Sequence, residues 1–242
     1  MRARAFAGRN LKEMLRDPMT LMFGMALPVA LLLIMSLIAR SAPVELFKVG
    51  SLAPAIGVFS YSFITLFAAL LMAKDRSTAF IVRLYASPMT AADFLLGYGL
   101  PLLPLGLLQG IVCYAAGIAM GLEVSWGIVV SLGMLVIVSV MYSGFGMLLG
   151  AAFSDKQVGG IFSVFVNLST WLSGTWFDLE LVGGAFKTIA DIFPFSHAVT
   201  ACRLACAGEY SATAGHILYV LLWAAGAFLA AALVFRNKMK KN

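Results

Sequence analysis

Charge is what this chain lacks. Only 12% of its 242 residues are Asp, Glu, Lys or Arg, and six long apolar stretches contain none of them. With 62% hydrophobic residues, a soluble domain of this size would leave far too much apolar surface in water. The stretches lie at about residues 21–39, 52–73, 95–120, 127–152, 158–176 and 216–235. Each has the roughly 20 residues that cross a 30 Å hydrocarbon core as a helix. Pro101 and Pro104 fall inside the third, where they predict a kink or a broken helix.

Other scarcities exclude chemistry. The three cysteines give no disulfide framework: Cys113 lies within a span, and Cys202 and Cys206 are neighbours on one helix face, poorly placed for a bridge. No Gly-x4-Gly-Lys-Ser/Thr loop is present to cradle a nucleotide phosphate, and no His-Glu-x2-His pair to hold a metal. There are only two histidines, His197 and His216, and interfacial placement is the expectation for both, with no metal site. Ser169 and Ser173 lack the Gly-x-Ser-x-Gly turn and orienting carboxylate of a serine nucleophile. Asn167-Leu168-Ser169 matches the glycosylation pattern but lies mid-span. The chain reads as a non-enzyme with no cofactor of its own and no nucleic-acid partner.

The charge that is present is sorted. Threading the six stretches alternately puts thirteen basic residues on one side and four (Arg40, Lys48, Lys187 and Arg203) on the other. Lys/Arg bias in short loops sets orientation, so both termini are expected in the cytoplasm. The eleven acidic residues divide five to six and decide nothing. The first stretch could be taken for a secretory signal, but its apolar and basic regions are both too long, and an uncleaved helix is preferred. Residues 1–242 then form one domain: an all-α integral membrane fold with six transmembrane helices. Gly106/Gly110, Gly117/Gly121 and Gly146/Gly150 are spaced for close helix packing.

Three segments outside the spans are informative. In residues 2–17, Ala3, Ala7, Leu11, Met14 and Leu15 share one helical arc and Arg2, Arg9, Lys12 and Arg16 the opposite one, with Pro18 ending the run. This predicts an interfacial helix at the cytoplasmic surface, the alternative being a plain basic tail. The cytoplasmic loop 74–93 is far longer than a turn needs. Ser77 could cap a short helix presenting Phe80, Ile81, Leu84 and Tyr85, which Ser87-Pro88 then ends. On the external side, residues 177–215 hold two apolar runs separated by Pro194. Ordinary interfacial helices and helices that re-enter the membrane both fit them.

The loop sequence Arg83-Leu84-Tyr85-Ala86-Ser87-Pro88-Met89, followed by Gly97, resembles the loop before the third span of ABC type-2 exporter permeases. Six spans, an amphipathic N-terminal helix and cytoplasmic termini fit the same family. So do Trp176-Phe177 at the end of the fifth span and Phe193-Pro194-Phe195-Ser196-His197 with Arg203 before the sixth. Two departures stand out: Asp75-Arg76-Ser77-Thr78, where many relatives have acidic residues and a glycine, and Tyr98 where a lysine is common. The resemblance implies a permease subunit without its own nucleotide site. ATP and Mg would enter through a separate ABC ATPase, expected in two copies, gripping the loop through Phe80, Arg83, Leu84, Ser87 and Pro88. It also implies a second permease subunit, identical or not, and external re-entrant helices between spans five and six, with Trp176, Phe177 and Pro194 at an external gate. The setting is a plasma (inner) membrane, with a prokaryotic source expected.

Polar and aromatic residues within the spans mark a candidate substrate pathway. Ser163, Asn167, Thr170 and Gly174 recur on one face of the fifth span beside Trp171, and Asn167 is expected to need buried partners. Phe59, Phe63 and Phe67 form a stripe in the second span, with Tyr61 and Thr65 roughly opposite. Aromatics, hydroxyls and one amide without charge suit export of an amphiphilic or drug-like substrate. A lipid or lipid-linked glycan handled by the same machinery is an alternative, as is an ATPase-independent channel or membrane scaffold.

Overall fold

A computed structural model describes residues 2–41, 45–78 and 91–239, and among them every regular element is helical. Five helical stretches are long and apolar enough to cross a membrane: Pro18–Ala39, Val49–Ser77, Asp93–Ala119, Trp126–Ala152 and Tyr210–Asn237. The fifth sequence stretch forms a shorter helix of 17 residues, Asp155–Trp171. It spans about 25 Å at the usual rise per residue.

Helix α1 (Arg2–Arg16) buries one face in the core, through Phe6 and Met14, and stops where Asp17 caps the next helix. The Asp17 carboxylate accepts from the Met19 and Thr20 amides, with Pro18 at the first helical position. The first long stretch then runs through α2 (Pro18–Leu21), a π-turn at Met22–Ala26 and α3 (Leu27–Ser41). Pro28 has no N–H to donate to the Gly24 carbonyl, which accounts for the widened turn just before it.

Helices α4 (Val49–Ser60) and α5 (Ser62–Ser77) make the second stretch and the centre of the bundle, most of it buried. The third is broken as its prolines predict. Helix α6 (Ala91–Gly99) ends, Pro101 takes the N-cap position, and α7 (Leu102–Ala119) follows. Helix α8 (Trp126–Ala152) packs along α5, α7 and α13 (Tyr210–Met239). Close approach at the α5–α8 crossing depends on Gly146, where a Cβ would lie 2.6 Å from the Thr65 carbonyl oxygen. Thr65 Oγ1 donates to the Tyr142 carbonyl at 2.9 Å across the same crossing.

Helix α9 (Asp155–Trp171) starts at a capping box, with Gln157 Oε1 accepting from the Ser154 amide and hydroxyl. It ends five residues short of the expected Trp176. Residues 172–177 turn instead, and Gly174 adopts φ +68°, a left-handed conformation that favours glycine. Three helices lead to the last span: α10 (Leu179–Val182), α11 (Gly184–Ile192) and α12 (Pro194–Ala207). Pro194 separates the last two, as the two apolar runs suggest. However, α12 begins at Pro194 itself, because proline is favoured at the first helical position.

Candidate functional site

At the end of the bundle that carries α1, a polar cluster joins three elements. The Asp75 side chain, at the end of α5, is only 4% exposed. Arg9 of α1 binds it with both guanidinium arms, at 2.7 and 3.1 Å, and the Tyr98 hydroxyl of α6 donates at 3.0 Å. Asn10, fully buried, donates to the Gly97 carbonyl at 3.0 Å. Glu13 accepts from Arg9 at 2.7 Å and from Lys74 at 3.2 Å. Partial burial works to lower the Arg9 pKa, but the hydrogen bond and charge of Asp75 outweigh it, so the net direction is upward.

The same interface is packed by aromatics. Phe6 meets Tyr98 edge-on at 4.9 Å, and a Cβ on Gly97 would fall 2.1 Å from a Phe6 ring carbon. Helix α1 thus buries Phe6, Ala7, Asn10 and Met14 against protein, whereas Leu15 of the expected apolar arc is exposed. Arg76 closes the cluster by donating to the Gly150 and Ala151 carbonyls, both at 2.6 Å, where α8 ends. The two departures noted in the sequence, Asp75 and Tyr98, are therefore partners of each other. The legible signal was a lone acid among basic residues at the foot of the second span. Phe80, Arg83, Leu84, Ser87 and Pro88 lie outside the described residues, but Asp75 and Tyr98 stand on either side of them.

The aromatic stripe of the second span is found, and it is longer than expected. Phe63 stacks on Phe23 at 5.3 Å and packs on Phe162 at 5.7 Å, while Phe59 meets Phe63 at 6.1 Å and Trp176 at 5.7 Å. Phe63 and Phe67 are buried within the chain and Phe59 is half-buried. Phe67 also borders a cavity of ≈520 Å³ near α1 with Glu13, Asp17, Lys74 and Asp155. Ser163, Asn167 and Trp171 lie on an exposed face of α9, with Thr170 half-exposed beside them. Asn167 is not buried as expected: its amide donates to the Ser163 carbonyl one turn back, at 2.7 Å. Gly174 leaves the stripe because the helix has already ended and the residue turns inward.

At the opposite end of the bundle, Trp176 touches Phe59, and Phe177 touches Trp171 and Phe186. Pro194 is buried between Phe193, stacked on Trp223 at 5.8 Å, and Phe195, which meets Tyr142 and Phe165. Arg203 reaches three backbone carbonyls, those of Ser51, Gly174 and Thr175, at 3.1, 3.1 and 3.5 Å. Burial lowers its pKa to about 10, offset in part by the charge of Asp178, so it stays cationic at neutral pH. One guanidinium thus ties the start of α4 to the turn after α9. Sequence pattern had marked Arg203 only as a neighbour of the proline motif.

Long apolar helices packed through glycines, with charge confined to the two ends, define an integral membrane protein of the multi-pass class. A family model described as ABC-2 type transporter matches residues 2–206, well over half of the chain, and the chain belongs to that family. It is a permease subunit, the membrane-spanning part of an ABC transporter. A search of the curated proteins gave no match.

Proposed function

We propose that this permease exports an amphiphilic, drug-like substrate, driven by a separate ABC ATPase present in two copies that docks on loop 74–93. A second permease subunit completes the pathway. The observation that carries this reading is the open face of α9. Ser163, Asn167 and Trp171 are exposed on the single chain, in a helix whose other side packs on the central α5. An uncharged face of one amide, hydroxyls and an indole, with Phe177 packed on Trp171, suits an amphiphile passing between two subunits. In this reading α9 also crosses, as the fifth of six spans, both termini are cytoplasmic, and α11 and α12 re-enter from the external side. The depth of Phe193 and Phe195, level with mid-helix Tyr142 and Trp223, supports that re-entry.

The Arg9–Asp75–Tyr98 cluster supports coupling through the loop, because movement of either flank must carry α1 with it. Leu84→Asp tests the docking assignment by placing a charge on the expected gripping side. ATPase co-purification and transport-coupled hydrolysis should fall while membrane insertion stays normal. Retention of both activities would reject the loop as the docking element.

A further inference from the structure

The chain's two histidines meet. His197 Nδ1 lies 2.7 Å from His216 Nδ1, and the ring centroids are 5.0 Å apart. His197 Nε2 lies 3.0 Å from the Asp191 carbonyl oxygen. A carbonyl can only accept, so Nε2 carries the hydrogen and the neutral His197 ring presents its lone pair at Nδ1. The hydrogen between the rings then belongs to His216 Nδ1. Replacing that hydrogen leaves two imidazole lone pairs converging on one point. A ligating histidine characteristically has its other ring N–H held by a backbone carbonyl, and His197 is already held so.

We infer that His197 and His216 form a site for a divalent transition-metal ion of the zinc or copper class, bridging α12 and α13. Tetrahedral bonds of about 2.0–2.1 Å place the two nitrogens about 3.3 Å apart. Small ring rotations reach that spacing from 2.7 Å. His216 changes tautomer, carrying its hydrogen at Nε2, and no net proton is released from the neutral pair. Imidazole ligands select zinc, copper or nickel over magnesium and calcium.

The surroundings favour a cation. Asp191 and Glu180 present two carboxylates to the one ammonium of Lys187, at 3.0 and 3.3 Å. Tyr219 packs on the His197 ring at 4.2 Å and donates to the Ile192 carbonyl at 2.6 Å, holding that side of the site. Both histidines are half-exposed, so an ion can reach them. Among the described residues no third His, Cys, Asp or Glu completes a metal-holding group, so water fills the remaining positions. Two protein ligands make an exchangeable clamp, unlike a closed structural zinc site.

The test uses the full chain without a polyhistidine tag, purified in detergent and titrated calorimetrically with Zn²⁺. Wild type should bind one saturable equivalent, and His197→Ala and His216→Ala should each weaken binding at least about 10-fold. Lowering the pH from about 7.5 to about 5.5 should weaken it further, as protons compete for the ring nitrogens. Electron paramagnetic resonance of Cu²⁺ on wild type should report two imidazole nitrogens, a readout that needs no variant to fold. No saturable Zn²⁺ binding, equal binding by the double variant, or a Cu²⁺ spectrum without two nitrogens would overturn the site. None of these outcomes depends on transport or on membrane orientation.

Discussion

Breaking the Arg9–Asp75 pair should reveal an asymmetry set by burial. Arg9→Ala strands a carboxylate whose side chain is 4% exposed, with the Tyr98 hydroxyl left as its hydrogen-bond donor in the cluster. Removing one partner of a fully buried pair costs about 3–5 kcal/mol, and a hydrogen bond to a charged group contributes about 1.5–3 kcal/mol. The Arg9 side chain is 39% exposed, so water screens the pair, and about 2–3 kcal/mol is the expected loss. Asp75→Asn should cost less, about 1 kcal/mol. The amide keeps an oxygen for Tyr98, and Arg9 still has Glu13 at 2.7 Å and access to water. The double variant should fall short of the sum of the singles by at least about 0.5 kcal/mol, the range for residues in contact. Thermal unfolding in detergent ranks the variants, with Arg4→Ala, an exposed site on the same helix, as control. If Arg9→Ala unfolds no earlier than Arg4→Ala, or if Asp75→Asn is the worse of the two, the buried-carboxylate argument is wrong.

Three further outcomes follow from the geometry. Gly97→Ala puts a methyl group into the Phe6 ring and should loosen α1, seen as faster proteolysis within residues 2–16, and Phe6→Ala in the same chain should restore protection. Asn167→Leu removes an amide bonded only within its own helix, so melting should stay near wild type while substrate preference in a transport assay shifts. A lowered melting temperature with unchanged transport would return Asn167 to a packing role. In a cysteine-free background, a cysteine replacing the exposed Leu181 should react with an impermeant external reagent and one replacing Phe80 should not, and the reverse pattern would reject the proposed orientation.

What the sequence determined alone was whatever depends on the bilayer acting as solvent. Five of the six span positions, the break at Pro101 and the stop of the first helix before Pro18 follow from hydrocarbon thickness and a missing N–H, all local properties. The family was legible for a related reason, since short motifs in the right order survive when read along the chain. Contacts between distant positions were decided only by tertiary structure. Asp75 and Tyr98 look like departures from a pattern until Arg9, 66 residues before Asp75, is brought to the same carboxylate. Asn167 looked like a buried amide because periodicity places a residue on a face without saying what covers that face. The helix that should have run to Trp176 ended at Trp171, where the chain turns through a left-handed glycine beneath Arg203. His197 and His216, 19 residues apart, share a hydrogen only because α12 folds back against α13. Close packing of helices sets these pairings through three-dimensional complementarity, and no one-dimensional period encodes it.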